Sequence, residues 1–233
     1  MQALILCAGE GSRLRPLTQI IPKPLVSVGG VPMVLRQIQA LKAAGISEFV
    51  LNTAHGAGIL EAALGDGSAW GVKIRYSHEG DCAAEALETL GGIARALPLL
   101  TAGGEEHFIV AAGDIVTDYD YRTLIARAGH LKEEGCCAHL VLVPNPSYHQ
   151  AGDMTLTAEG RVSRRTKTHT FASFGLYSAE LFRDVAPVRA KLFPWLFNAI
   201  DRETVSGEIY EGLWLNVGDF DELARAQACC SAN

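Results

Sequence analysis

Short apolar runs alternate along this chain with stretches whose apolar residues recur at helical spacing. That alternation predicts a parallel sheet covered by helices. Ala3-Leu4-Ile5-Leu6-Cys7 reads as a buried first strand, and a Gly-rich loop follows it. Met33 to Ala44 carries Val34, Ile38 and Leu41 on one face and stops at Gly45, the pattern of a helix. Strands are expected at Glu48–Asn52, Val72–Tyr76, Phe108–Ala112 and Ala138–Val143. Helices are expected at Gly58–Leu64, around Gly92–Ala96 and at Tyr121–His130.

Beyond Pro144 the runs shorten. Met154–Thr157, Arg161–Arg164 and Phe171–Tyr177 predict strands, with Glu159-Gly160 as a hairpin turn between the first two. Lys191–Ile200 predicts a helix, Trp214–Val217 a last strand, and Phe220–Cys229 a closing helix. The expectation is one domain over residues 1–233, with an N-terminal lobe (1–120) and a C-terminal portion with a closing helix (121–233) sharing a sheet. In an open α/β sheet, ligands lie outside the carboxyl ends of the strands. Those ends deliver Ala8-Gly9, Asn52-Thr53 and Gly113-Asp114 to one crevice.

With 233 residues, 48% of them hydrophobic, the chain can bury a full core without staples. A net charge of -6 argues against a nucleic-acid partner, which favours a basic surface. Its apolar runs fall short of the ~18 residues a membrane helix needs. Six cysteines, four of them in the adjacent pairs Cys136-Cys137 and Cys229-Cys230, lack metal-site spacing and read as reduced thiols. A cytoplasmic location is expected, since no basic leader precedes Ala3 to Ala8.

The sharpest signal is the run from Leu6 to Thr18. Gly9 and Gly11, placed directly after a strand, allow close backbone approach to phosphate and can form an anion nest. Arg13 sets a fixed fork of donors beside them. Lys23 stands between Pro22 and Pro24, on a stiff stretch suited to holding a charge in place. A simple turn with Arg13 solvated remains the alternative. A dinucleotide fingerprint, and with it a Rossmann oxidoreductase, fails because Leu14 occupies the place of the third glycine. A nucleotide-hydrolase loop fails because the chain has no Gly-Lys.

The run GEGSRLRPLT followed by PKPL resembles the signature of the sugar-1-phosphate nucleotidyltransferases. Further matches follow in order: Leu87-Glu88-Thr89-Leu90-Gly91-Gly92-Ile93, Gly113-Asp114, Thr170 to Ser178, Ser206-Gly207-Glu208, Tyr210, and Trp214-Leu215-Asn216-Val217-Gly218. Within that family the chain looks most similar to the short N-acetylmuramate-1-phosphate uridylyltransferases of cell-wall recycling. Thr117 to Asp120, Asn145-Pro146 with His149, Gly152-Asp153 and Val205 to Glu208 carry that choice. The resemblance implies a Rossmann-like three-layer α/β/α fold with a mixed, mostly parallel central sheet. It also implies a nucleoside triphosphate, with UTP favoured, a sugar-1-phosphate, and magnesium held by Asp114 and Asn216.

The implied roles divide by place. Arg13, Lys23 and Asp114 are the catalytic candidates. Cys7, Ala8, Gly9, Gly11, Ser12, Arg13, Lys23, Asn52 and Gly91 would contact the nucleotide. Gly113, Asp153 and Ser173 would contact the sugar. Several of these residues have plain alternatives: Asp114 and Asp153 as turn caps, Gly91 as part of a helix entrance. Lys191 and Glu208 could sit on a solvated face, and Arg164, Arg165 and Lys167 read better as a charged surface strand than as a phosphate contact. The chain departs from the family pattern at Asn216 (usually Asp), Ala112 (often Asn) and Ser173 (often Gly). Mannose-1-phosphate guanylyltransfer and glucose-1-phosphate thymidylyltransfer remain open on these motifs. So does a non-catalytic nucleotide-sugar binding module.

Overall fold

The computed structural model describes residues 1–230. Seven strands form the central sheet: β1 (Gln2–Leu6), β2 (Glu48–Thr53), β3 (Lys73–His78), β4 (His107–Ala112), β5 (Ala138–Pro144), β6 (His169–Ser178) and β7 (Val205–Ile209). Their spatial order is β7-β5-β6-β4-β1-β2-β3. Pairs β3-β2, β2-β1, β1-β4 and β5-β7 are parallel, while β6 runs against both β4 and β5. The sheet is therefore mixed and mostly parallel, as the resemblance implies.

Because strands buried on both faces need apolar residues at successive positions, β1 reads as a continuous apolar run. Ala3 and Ile5 enter one core cluster and Leu4 the other. Helices α1 (Met33–Ala43) and α2 (Ala57–Leu64) cover the first face with Val34, Ile38, Leu41, Leu60 and Leu64. Helix α3 (Glu88–Leu100) covers the second with Leu90, Ile93, Ala96 and Leu100. Helix α4 (Arg122–Arg127) adds Leu124 to the first face. The closing helix, α5 (Phe220–Cys230), packs Ala226 into a third cluster with Val28, Val116, Leu215 and Val217.

The structure differs from the sequence expectation in several places. Lys191–Ile200 is not one helix but two short pieces, Leu192–Trp195 and Phe197–Asp201. Phe193, which precedes Pro194, sits at φ -102°, ψ 132°, because a residue before proline is pushed out of the helical region. Helix α4 stops at Arg127 rather than reaching His130; Gly129, a weak helix former, lies in the turns that follow. Strand β7 and the short strand Ile115–Thr117 are additional. The latter pairs antiparallel with Trp214–Asn216, outside the main sheet.

Candidate functional site

The chain crosses from β1 to β2 on one side and returns at β4 on the other, so β1 and β4 flank the point where strand order reverses. Loops leaving two neighbouring strands in opposite directions open a crevice there. The residues after β1 and β4 meet in it: the Gly113 N–H donates to the Leu6 carbonyl at 3.0 Å. A Cβ at Gly113 would lie 2.9 Å from that oxygen and 3.1 Å from Cys7 Sγ, so a side chain would wedge the loops apart.

The loop after β1 is shaped by its two glycines in different ways. Gly11 has φ +67°, and a Cβ there would meet Lys23 Cβ at 2.9 Å. Gly11 thus lets the loop lie against the Lys23 segment, and its carbonyl accepts from the Thr18 hydroxyl at 2.9 Å. Gly9 has no atom within 4 Å of where its Cβ would be, which leaves its face open to a ligand. Ala8 is buried, while Ser12 and Arg13 are exposed on a short 3-10 turn anchored by buried Leu14.

Lys23 is 9% exposed, fixed between Pro22, which packs on Gly56, and Pro24. Its Nζ lies 2.5 Å from Asp114 Oδ2. Asp114 follows β4, and the Val217 N–H donates to its carbonyl at 3.1 Å. The Ile115–Thr117 ladder sets Asn216 opposite Ile115, next to Asp114. Arg13 closes the group: its guanidinium lies against Gly218, where a Cβ would be 2.8 Å from Nη2. Among the described residues, Arg13 has no hydrogen-bond or ion-pair partner. A free guanidinium, a buried ammonium and a partly exposed carboxylate therefore share the mouth of one crevice.

Three predicted contacts are set back from that mouth. The Cys7 thiol is buried, and burial, then the Asp114 charge, pushes it far above the ordinary thiol range. It stays protonated. The Cys7 N–H donates to Asn52 Oδ1 at 2.7 Å, and Asn52 Nδ2 donates to Glu79 Oε1 at 2.7 Å. Asn52, 3% exposed, is thereby spent on holding the loop. Sequence reasoning missed Glu79, whose Oε2 also accepts from the Leu87 N–H at 2.7 Å. Burial raises the Glu79 carboxyl against the pull of these hydrogen bonds from Leu87 and Asn52. A glutamate at a strand end carries no signal in a single sequence; the buried Glu79–Asn52–Cys7 relay emerges only when β1, β2 and β3 are aligned.

Gly91 lies under a backbone strap. Ala190 donates its N–H to the Leu87 carbonyl at 2.9 Å and accepts from the Leu90 N–H at 3.0 Å. A Cβ at Gly91 would stand 2.1 Å from the Val188 carbonyl oxygen. Gly91→Ala should gain about 1 kcal/mol of helix propensity but lose about 1–3 kcal/mol to overpacking. The clash is with backbone, which cannot rotate away, so net destabilisation is expected in urea or thermal unfolding. A variant as stable as the wild type would show that the strap does not rest there.

Asp153 and Ser173 line a cavity of about 320 Å³ together with Tyr148, His149, Lys167 and Asn216. Its apolar wall is Met154, Phe171, Phe193, Phe197 and Trp214. Asp153 Oδ1 is 2.9 Å from His149 Nε2, and Oδ2 accepts the Phe171 N–H at 2.9 Å. Ser173 has φ +64°, a left-handed conformation that glycine adopts without cost. A second cavity of about 360 Å³, lined by Leu6, Glu88, Thr89, Ala112 and Lys191, shares Phe171, Ser173 and Phe193 with the first. Glu88, at φ +60°, is another non-glycine residue in that conformation. Such backbone strain concentrates at ligand clamps. Glu208 lies elsewhere, accepting from the Tyr119 hydroxyl beside buried His139.

Asp114 and Asn216 offer hard oxygen donors, which suit magnesium; that ion usually takes one or two from protein. The Asn216 side chain makes no hydrogen bond among the described residues, which leaves its amide oxygen available. Among those residues no group of three or more His, Cys, Asp and Glu could form a protein cage for a metal. The donor set fits an ion completed by substrate oxygens.

Comparison with known proteins identifies the family and the fold. The family model described as nucleotidyl transferase matches residues 2–232. An N-acetylmuramate alpha-1-phosphate uridylyltransferase of Neisseria meningitidis is 43% identical over all of this chain and 99% of its own length. A mannose-1-phosphate guanyltransferase beta-B of Xenopus laevis is 32% identical over 94% of this chain, which spans 61% of that relative. Among solved structures, a putative glucose-1-phosphate thymidylyltransferase of Bacillus anthracis superposes with a TM-score of 0.86. It is 20% identical and covers all of this chain, which matches 96% of it. No helix among the described residues is long and apolar enough to cross a membrane. By its matched length, its sheet and its full-length relative, the chain belongs to the sugar-1-phosphate nucleotidyltransferase family of nucleotidyl transferases.

Proposed function

We propose that this enzyme transfers a uridylyl group from UTP to N-acetylmuramate α-1-phosphate, releasing pyrophosphate, in cytoplasmic recycling of cell-wall sugars. One observation carries the reading. The open Gly9 loop, unpaired Arg13 and the Lys23–Asp114 pair converge beside Asn216, which also lines the aromatic-walled cavity. A polyphosphate and a sugar can therefore be held next to each other. The 43% identity over both full lengths favours uridylyl and N-acetylmuramate over the guanylyl and mannose pairing.

In this mechanism residues 1–120 hold the nucleotide, and the sugar lies against residues from 121–233. A sugar-phosphate oxygen attacks the α-phosphorus, and the bond to the bridging oxygen breaks as pyrophosphate leaves. Arg13 donates to the β- and γ-phosphates. Lys23 stabilises charge developing at the α-phosphorus, and because it is already desolvated it needs little reorganisation. Asp114 and Asn216 would hold the magnesium ion, which when bound neutralises charge on the triphosphate and the incoming phosphate. No general base is needed, since a sugar phosphate is ionised near neutral pH; the reaction then rests on positioning and charge.

Pyrophosphate release measured with UTP, GTP, CTP and dTTP against a panel of sugar-1-phosphates tests the proposal. The highest kcat/KM should fall to UTP with N-acetylmuramate 1-phosphate. Turnover of mannose 1-phosphate with GTP above that pair would shift the assignment. Magnesium-independent nucleotide-sugar binding without turnover of any pair would mark a binding module instead.

A further inference from the structure

The cavity that takes the sugar carries an unequal set of charges. Asn216 contributes none, and both Asp153 oxygens are engaged, Oδ1 with His149 Nε2 at 2.9 Å and Oδ2 by the Phe171 N–H at 2.9 Å. Arg164, next to this region in sequence, is occupied by Asp201 through two 2.7 Å bonds and lies over the Phe197 ring. Lys167 lines the cavity, is exposed, and has no hydrogen bond or ion pair from its ammonium among the described residues. Tyr148 lines the same cavity, and its hydroxyl likewise has no partner there. The pocket is thus walled by aromatic rings and holds one uncommitted cation and one uncommitted phenol.

We infer that Lys167 is the specificity determinant that selects an acidic sugar phosphate, by pairing with a carboxylate on the sugar ring's substituent. This rests on the functional reading above. N-acetylmuramate differs from N-acetylglucosamine by a lactyl ether bearing one carboxylate, so the two sugars differ by the charge that Lys167 would meet. A single unpaired ammonium in a partly apolar pocket rewards that charge, and nothing else lining the cavity offers a free cation to a neutral sugar's rival. Tyr148 supplies a neutral donor beside it. Burial, then the charge of Glu222, pushes the Tyr148 phenol up to about 12, which keeps its proton in place at neutral pH.

The test compares N-acetylmuramate 1-phosphate with N-acetylglucosamine 1-phosphate, using UTP and the wild type, Lys167→Met and Lys167→Arg. Lys167→Met should lower the kcat/KM ratio of the acidic over the neutral sugar by about tenfold to a hundredfold, the scale of a hydrogen bond to a charged group. The change should appear in KM for the acidic sugar and weaken as salt is raised, and Lys167→Arg should restore most of the ratio. A general structural defect would instead depress both sugars alike. An unchanged ratio, or equal losses for both sugars, in an enzyme whose wild type prefers the acid would overturn the role of Lys167 alone. A wild type that does not prefer the acid overturns the functional reading, and this inference with it.

Discussion

Lys23→Ala should cut kcat by about 10²–10³-fold, or roughly 2.7–4 kcal/mol, the scale for removing one preorganised donor from a reaction centre. The large loss follows from burial. Lys23 is held between two prolines at 9% exposure, so its charge acts where water cannot screen it. A solvated arginine such as Arg15, already paired with Glu10 on the surface, should not substitute for it. The fold should persist, because the carboxylate left behind at Asp114 keeps 26% side-chain exposure and can be hydrated. Single-turnover kinetics with thermal unfolding check both halves. Turnover within a few-fold of wild type in a folded Lys23→Ala protein would remove Lys23 from the mechanism.

Asp114→Ala should lose at least as much activity and cost more stability than Lys23→Ala. The asymmetry comes from the other partner's exposure. Without Asp114, the Lys23 ammonium stays at 11% side-chain exposure with no counter-charge, and an orphaned buried cation is poorly compensated. Asp114 is also the anionic member of the proposed magnesium pair, so its loss would leave only the neutral Asn216. The reciprocal change tests the same point: Asn216→Asp adds a charged oxygen and should lower the magnesium concentration for half-maximal rate by about tenfold, since ligand charge tunes hard-cation affinity. Magnesium titrations of both variants, alongside their unfolding midpoints, decide it. Equal magnesium dependence in all three proteins would place the metal elsewhere.

Much of the sheet was legible because its strands are buried on both faces. The apolar runs at Ala3, Phe108 and Ala138 mark β1, β4 and β5 to within a residue or two, and α1 and α5 follow their periodicity. Strand β7 was not legible. Val205 and Ile209 are separated by Ser206-Gly207-Glu208, which interrupts the apolar run, and β7 stands at the edge of the seven-stranded sheet, where its outer side meets the Gly160-Arg161 turn. Lys191–Ile200 looked helical because hydrophobic spacing survives the break at Phe193-Pro194. At the site, the glycine loop, Arg13, Lys23 and Asp114 could be named from spacing and resemblance. Glu79 could not, since its importance lies in what it touches. Asn52 and Gly91 were visible as polar and glycine positions, yet their hydrogen bonds and contacts face inward, one bracing Cys7 and the other admitting the strap at Val188.

The reversed direction of β6 has a further effect. Phe174 stands opposite Ala111, so the start of β6, not its end, lies level with the carboxyl edge of β4. In the proposed site, the floor beneath the sugar is consequently furnished by chain arriving at the sheet, whereas the phosphate cradle is furnished by chain departing from it. These are remote stretches of sequence that share no turn. On the proposed reading, substitutions around 145–173 should retool which carbohydrate is accepted while the loop after β1 keeps its shape, because separate stretches of chain carry the two.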